Sequence, residues 1–380
     1  MKIGILTQPL HDNYGGLLQA YALKEVLGQL QHEVIIINRQ SRPSKVRALA
    51  SIIKSLIIGR QIKLNPKLKL TSKQKSIISR NTLLFREKYI PNLTHLITSD
   101  KGMLELNKMG FDAYVVGSDQ CWRPLYSSKI SNYFLDFAEN QENIKRIAYA
   151  ASFGVSDWEF NEVDSRRCSE LAKKFDAISV REDSGVDLVK KHLGTNAVHV
   201  IDPTMLLPKE HYVQLAKEEG QFESKGNLKV YVLDKTSEKQ NFIDSIEGKL
   251  GLKQFEVLPN KRLELDKIKD IEDFVFPNPA KWLRGFQDAK FVVTDSFHGT
   301  VFSILFRVPF IALGNKSRGM ARFESLLKMF ELEDRLVTDI TSFNVDKMID
   351  REINWDDVHS ILEKEKEKAL NFLTNIEDQG

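Results

Sequence analysis

Apolar positions along the chain fall into short runs separated by polar, glycine-containing breaks. Lys2 to Leu6, Val34 to Ile37, Ala113 to Val116, Arg146 to Ala151, Ala177 to Val180 and Val198 to Ile201 are aliphatic or β-branched runs. Such runs fill parallel strands buried on both faces of a sheet. Between the first two the period lengthens to that of a helix. Over Leu17 to Leu30, residues Leu18, Tyr21, Ala22, Val26 and Leu27 fall roughly on one face. Strand, loop His11 to Gly16, helix and strand make a Rossmann-like opening, although the loop lacks the glycine spacing of a dinucleotide fingerprint. The texture changes after Leu207. Pro208 to Lys225 is polar and helical, Gly226 and Asn227 break it, and strands are predicted at Leu228 to Leu233, Phe255 to Leu258, Phe291 to Thr294 and Pro309 to Leu313. A helix at Phe323 to Met329 follows. Asp356 to Ile376 is a charged amphipathic helix that turns Val358, Leu362, Leu370 and Phe372 or Leu373 inward. The pattern predicts an α/β chain of two domains, 1–207 with a basic insertion at 39–86 and 208–350, strapped by a C-terminal helix over 351–380.

Length supports that division, because 380 residues exceed one ordinary core. A hydrophobic content of 42% with 28% charged residues describes a globular protein. Cys121 and Cys168 are too few for a disulfide framework or a metal cluster, so a reducing compartment and no metal are expected. The first residues enter a strand at once without a signal-peptide pattern, which predicts a cytoplasmic protein. Net charge is only +3, and no nucleic-acid partner is expected. One stretch departs from this balance: Arg39 to Arg80 holds no acidic residue. Within it, Val46, Leu49, Ile52, Ile53, Leu56 and Ile57 alternate with Lys45, Arg47, Lys54 and Arg60. That composition suits either peripheral contact with an anionic membrane through 45–60 or an amphipathic helix packing on its own domain.

Candidate chemistry gathers where predicted strands end. Phe291 to Thr294 runs into Asp295, Ser296, His298, Gly299 and Thr300, after which Val301, Phe302, Ile304, Leu305 and Phe306 read as the buried face of a helix. At such a strand–turn–helix junction, backbone N–H groups and the positive helix end converge on a point where an anion binds. His298, followed by Gly299 that admits a ligand close to the backbone, is the strongest active-site candidate there, against the alternative of a histidine satisfied within the core. Other strands finish in Gly117-Ser-Asp119, Ser152-Phe-Gly154, Arg181-Glu-Asp183 and Asp202-Pro-Thr204, as expected if their carboxyl ends line one crevice. Asp183 and Ser184 read as helix caps. Asp119 is a candidate for the site, and Arg181 sets a fixed cation suited to a carboxylate or phosphate. Gly15 and Gly16 either admit a ligand or merely make the turn. Lys316, Arg318 and Arg322, in a basic loop opening onto a helix, form a further candidate anion clamp or a solvated loop.

Several ordered motifs carry a resemblance. Asn13-Tyr-Gly-Gly16 with Leu18-Gln-Ala-Tyr-Ala-Leu23, Val116-Gly-Ser-Asp-Gln120, Tyr149-Ala-Ala-Ser-Phe-Gly154, Ser179-Val-Arg-Glu182, Asp202-Pro-Thr204 and Thr294-Asp-Ser-Phe-His-Gly-Thr300 resemble the polysaccharide pyruvyl transferase family over about residues 2–330. The resemblance implies two Rossmann-like domains facing a cleft, as in B-type glycosyltransferases. It implies transfer of the enolpyruvyl group of phosphoenolpyruvate to sugar hydroxyls, with formation of a pyruvate ketal on a polysaccharide or a lipid-linked oligosaccharide. Phosphoenolpyruvate would be the donor substrate, and no cofactor is expected; the alternatives are a nucleotide-sugar-dependent glycosyltransferase of the same two-Rossmann type and a non-catalytic glycan-binding scaffold. The family's functional positions map onto Asp119, Arg181 and His298, with Asp119 or Asp295 orienting the histidine or accepting the hydroxyl proton. Asn13, Gly15, Gly16, Ser296, Gly299 and Thr300 would contact substrate. Some members carry an arginine where this chain has Ser296, so Lys316, Arg318 or Arg322 would supply the missing charge.

Overall fold

The computed structural model describes residues 1–40, 70–127, 129–261, 268–315, 319–341, 345–349 and 351–375. The basic stretch 45–60, Lys316 and Arg318 lie outside the described residues. Two parallel sheets organise the chain. The first joins β1 (Lys2–Leu6), β2 (Glu33–Ile36), β3 (Ala113–Val116), β4 (Lys145–Ala151), β5 (Ala177–Val180) and β6 (Val198–His199) in the order β2-β1-β3-β4-β5-β6. The second joins β7 (Leu228–Tyr231), β8 (Gln254–Glu256), β9 (Phe291–Thr294), β10 (Phe310–Leu313) and β11 (Leu336–Val337) in the order β11-β10-β9-β7-β8. Every residue of β3, β7, β9 and β10 is buried, Lys229 of β7 included, as helices covering both faces of the sheet require.

The strand order places the cleft. In the first sheet the chain leaves β1 toward β2 on one side and returns to β3 on the other, so the loops after β1 and β3 diverge. In the second sheet β7 stands in the same relation to β8 and β9. These are the two topological switch points, where a crevice opens beyond the strand ends. The loops after β1, β3, β7 and β9 line one common cleft.

Named helices are α1 (Tyr14–Gln29), α2 (Arg80–Tyr89), α3 (Lys209–Glu218), α4 (Pro279–Asp288), α5 (Phe297–Phe306), α6 (Ala321–Met329) and α7 (Trp355–Thr374). The first begins three residues before the predicted Leu17. Asn13 is extended (φ −82°, ψ 106°), and its carbonyl accepts the Leu17 N–H at 3.0 Å, so Gly15 and Gly16 belong to the first helical turn instead of the loop. The strand predicted at Val198 to Ile201 pairs only over Val198–His199, and the helix predicted to Lys225 stops at Glu218. The two-residue β11 escaped the sequence pattern because it is too short to show a period.

Contacts tie the halves together at several points. Asn81 of α2 donates to the Phe276 carbonyl at 2.7 Å, while Ser79 and Thr82 hold Asp12, in the loop after β1, at 2.8 and 2.6 Å. The Ser325 hydroxyl of α6 accepts the Asp183 N–H at 2.8 Å. On α7, Val358, Leu362, Ala369 and Leu373 are buried, and Phe372 packs on Tyr149 of β4 with centroids 6.2 Å apart. No helix among the described residues is long and apolar enough to cross a membrane.

Candidate active site

The cleft between the switch points has a volume of about 660 Å³. Gln8, Pro9 and Asn13 line it from the loop after β1, Asp119 and Gln120 from the end of β3, and Tyr231 and Leu233 from the end of β7. Asp295 to His298 and Arg322 complete the part in which charge is concentrated.

The histidine is set by a local sequence of events. The buried strand β9 ends at Thr294, and Ser296, in extended conformation (φ −109°, ψ 132°), caps α5 by accepting the Gly299 N–H at 3.4 Å. Two residues later His298 falls on the first helical turn, 5% exposed. Its ring lies against the start of α1: a Cβ at Gly15 would stand 2.1 Å from Nδ1. Any other residue at 15 would therefore displace the imidazole. On its other side, Nε2 stands 3.5 Å from Asp202 Oδ2 and has no hydrogen-bond partner among the described residues. That separation lies beyond a formed hydrogen bond but within reach of an ion pair.

Behind the histidine lies a buried charge cluster drawn from the ends of β3, β5 and β6. Arg181 places Nη1 2.7 Å from Asp202 Oδ2, Nη2 3.4 Å from Asp119 Oδ1 and Nε 3.8 Å from Glu182 Oε1. Both Arg181 and Arg322 lie over the Phe297 ring, at 4.3 and 5.6 Å. Burial opposes the Arg181 charge, but Asp202, Asp119 and Glu182 outweigh it and leave its pKa raised. Burial likewise works against the Asp119 and Asp202 carboxylates, yet neighbouring cations hold both below the usual range. For Glu182 burial prevails, so its pKa is raised although it accepts the Ser152 hydroxyl at 2.5 Å and the Phe153 N–H at 3.2 Å. Burial, followed by repulsion from Arg181, pushes Arg322 down to about 10. With His298 protonated, three cations face three carboxylates in this cluster.

The predicted site residues divide accordingly. His298, Asp119, Ser296, Asn13 and Arg322 reach the cleft together. Arg181 does not: its side chain is 1% exposed and its charge faces three carboxylates, so it braces the site instead of meeting an anion. Asp295 touches the cleft but is fully engaged, accepting the N–H groups of Leu233 (2.6 Å) and Asp234 (3.0 Å) and pairing with Lys239 (2.8 Å). It is held away from proton transfer and does not orient His298. Gly299 faces inward, where a Cβ would stand 2.2 Å from Thr294 Oγ1, so its small size serves packing instead of ligand approach. Thr300 is buried and returns its hydroxyl to the Ser296 carbonyl at 3.2 Å. Gly15 makes room for the histidine ring, and the missing side chain at Gly16 faces Asn13. Sequence reasoning assigned no role to Asp202 or Glu182. Their position at strand ends was the available signal, but only the fold brings Asp202 beside His298.

Comparison with known proteins adds to this geometry. A family model described as Polysaccharide pyruvyl transferase matches residues 13–317. A search of curated proteins gives no match. Among solved structures, the chain is similar to Arabidopsis thaliana UGT89C1 complexed with UDP-L-rhamnose, at 11% identity over 98% of both chains with a TM-score of 0.52. It is similar to MnaA of S. aureus in its structure with UDP, at 11% identity over 100% of this chain and 98% of that one, with a TM-score of 0.51. For UDP-GlcNAc 2-epimerase from Methanocaldococcus jannaschii with UDP-GlcNAc and UDP, the figures are 14% identity, 96% and 99% coverage and a TM-score of 0.50. At these identities the likeness is one of fold, the two-Rossmann architecture of B-type glycosyltransferases.

Proposed function

Because the chain belongs to the polysaccharide pyruvyl transferase family, we propose that the cleft takes phosphoenolpyruvate as donor and that His298 moves the protons of the transfer. The observation that carries this reading is the meeting of His298, Asp119 and Arg322 on one cleft at the start of α5. The donor bears a carboxylate and a phosphate. Arg322 and the positive start of α5 suit such an anion.

The chemistry then balances with few groups. Protonated His298 gives a proton to the vinyl carbon, which becomes a methyl group, and an oxocarbenium-like centre forms at the adjacent carbon. A sugar hydroxyl attacks that centre and its proton passes to the neutral imidazole, restoring the acid. The carbon–oxygen bond to phosphate breaks as a second hydroxyl closes the ketal, and the second hydroxyl's proton leaves with the phosphate. Asp119 is a poor base because its pKa is depressed, and the same fixed negative charge suits it to stabilise the developing cation.

The family implies a glycan acceptor. Phe276, half-buried, and the exposed Tyr126 on the cleft wall offer aromatic surface suited to the apolar side of a sugar ring. A lipid-linked acceptor would give the basic segment 45–60 a purpose at an anionic membrane surface. Co-sedimentation with anionic but not neutral vesicles, reversed by salt, is the expected result. Equal behaviour with both vesicle types would return the segment to an intramolecular role.

The test of the reaction is product formation from donor labelled at its central carbon, with the native glycan stripped of pyruvate as acceptor. A labelled ketal carbon and free phosphate are expected in equal amounts. His298→Gln should lower the rate by roughly 100-fold or more while the fold stays intact. A folded variant with near-normal ketal formation would remove His298 from the mechanism.

A further inference from the structure

Asp202 follows β6 and is wholly buried, and its carboxylate is held in one orientation from several sides. Oδ1 accepts the Thr204 N–H at 3.0 Å and the Thr204 hydroxyl at 2.7 Å. Oδ2 accepts Arg181 Nη1 at 2.7 Å, with the Ser118 hydroxyl 3.5 Å away. The same Oδ2 stands 3.5 Å from His298 Nε2, a buried nitrogen with no hydrogen-bond partner among the described residues. A buried polar nitrogen left unpaired is costly, and Asp202 Oδ2 is an acceptor only a few tenths of an ångström too far. The two groups come from opposite halves of the molecule, so slight closure of the cleft completes the contact.

Resting on the reaction assigned above, we propose that Asp202 is the positioning residue of His298, holding Nε2 as its N–H and leaving Nδ1 to exchange protons with substrate. Gly15 permits this ring position, because a Cβ there would stand 2.1 Å from Nδ1 and displace the imidazole. Asp202 would then act through the ring alone: it fixes the tautomer, fixes the plane and provides a counter-charge while the imidazolium exists. Asp119, at the end of β3, adds negative charge near the ring, and Arg181 and Arg322 oppose it with positive charge. Residue 15, on the α1 side, carries no charge.

The test is nitrogen NMR of the full chain without substrate, with the His298 signals identified by their loss in His298→Gln. The neutral ring should carry its proton on Nε2. In Asp202→Asn the neutral ring should lose its fixed preference for the Nε2 proton, because the carboxylate acceptor is gone. The kcat should fall with it by about 10-fold or more, while KM for the donor changes little. A neutral ring protonated on Nδ1, or an Nε2 preference that survives Asp202→Asn, overturns the proposal. The tautomer is read in the unaltered protein, so the test stands even where Asp202→Asn fails to fold. The NMR result does not depend on turnover. Absence of ketal formation with Nε2 protonated would count against the reaction and leave the pairing in place.

Discussion

At the scale of single residues, Lys229 shows a cost the fold tolerates. It lies in β7 without exposure, its ammonium 3.1 Å from the Trp282 carbonyl and 4.5 Å from the Phe286 ring centroid. Burial pushes its pKa down to about 7 from the ordinary 10.5, with only Asp288 opposing. Between those values the unfolded chain binds the proton and the native state does not. This group's contribution to stability therefore rises with pH across that window and is least favourable below it. Lys229→Met should raise the melting temperature, more at neutral pH than at pH 10, and a calorimetric scan at the two pH values checks it. Gly15 makes the complementary case: Gly15→Ala improves helix propensity yet drives a methyl group into His298. Turnover should fall by about 100-fold with little change in melting, since such losses follow from misplacing a reacting group by about an ångström. His298 and Asp119 were legible as candidates from their place at predicted strand ends. Arg181 was legible as a cation but not as an enclosed one, because its partners Asp119 and Asp202 belong to other strands.

Among elements, the buried strands were the most legible, with β3, β5 and β9 found at their predicted bounds because both faces are apolar and glycine or charge follows. The start of α1 was not, since glycines read as turn residues when the ring packed against them is unseen. Asp295 belongs to this scale, because it fastens the loop after β7 to the end of β9 and anchors Lys239. Asp295→Ala strands two N–H groups and a half-buried ammonium. It should destabilise the protein by about 2–4 kcal/mol, read in a denaturant melt. A variant that melts like the parent but loses only its acid–base pH profile would return Asp295 to catalysis.

For the whole molecule, two sheets present their switch points to one another, and the cleft gathers its chemistry from both. His298 and Arg322 come from the second half, Asp119 from the first, with Asp202 and Arg181 bracing behind. Donor binding across such a cleft would draw the halves together and shorten the gap between His298 and Asp202. The measurement that reaches this claim most directly is calorimetric titration of phosphoenolpyruvate, without acceptor, into the parent protein and Arg322→Met, with UDP-GlcNAc titrated in parallel. The account predicts that phosphoenolpyruvate binds and UDP-GlcNAc does not, and that Arg322→Met weakens the donor by about 10-fold or more, the loss of one charge-assisted contact. Binding of the sugar nucleotide in place of phosphoenolpyruvate, or a donor affinity that survives Arg322→Met unchanged, would contradict it.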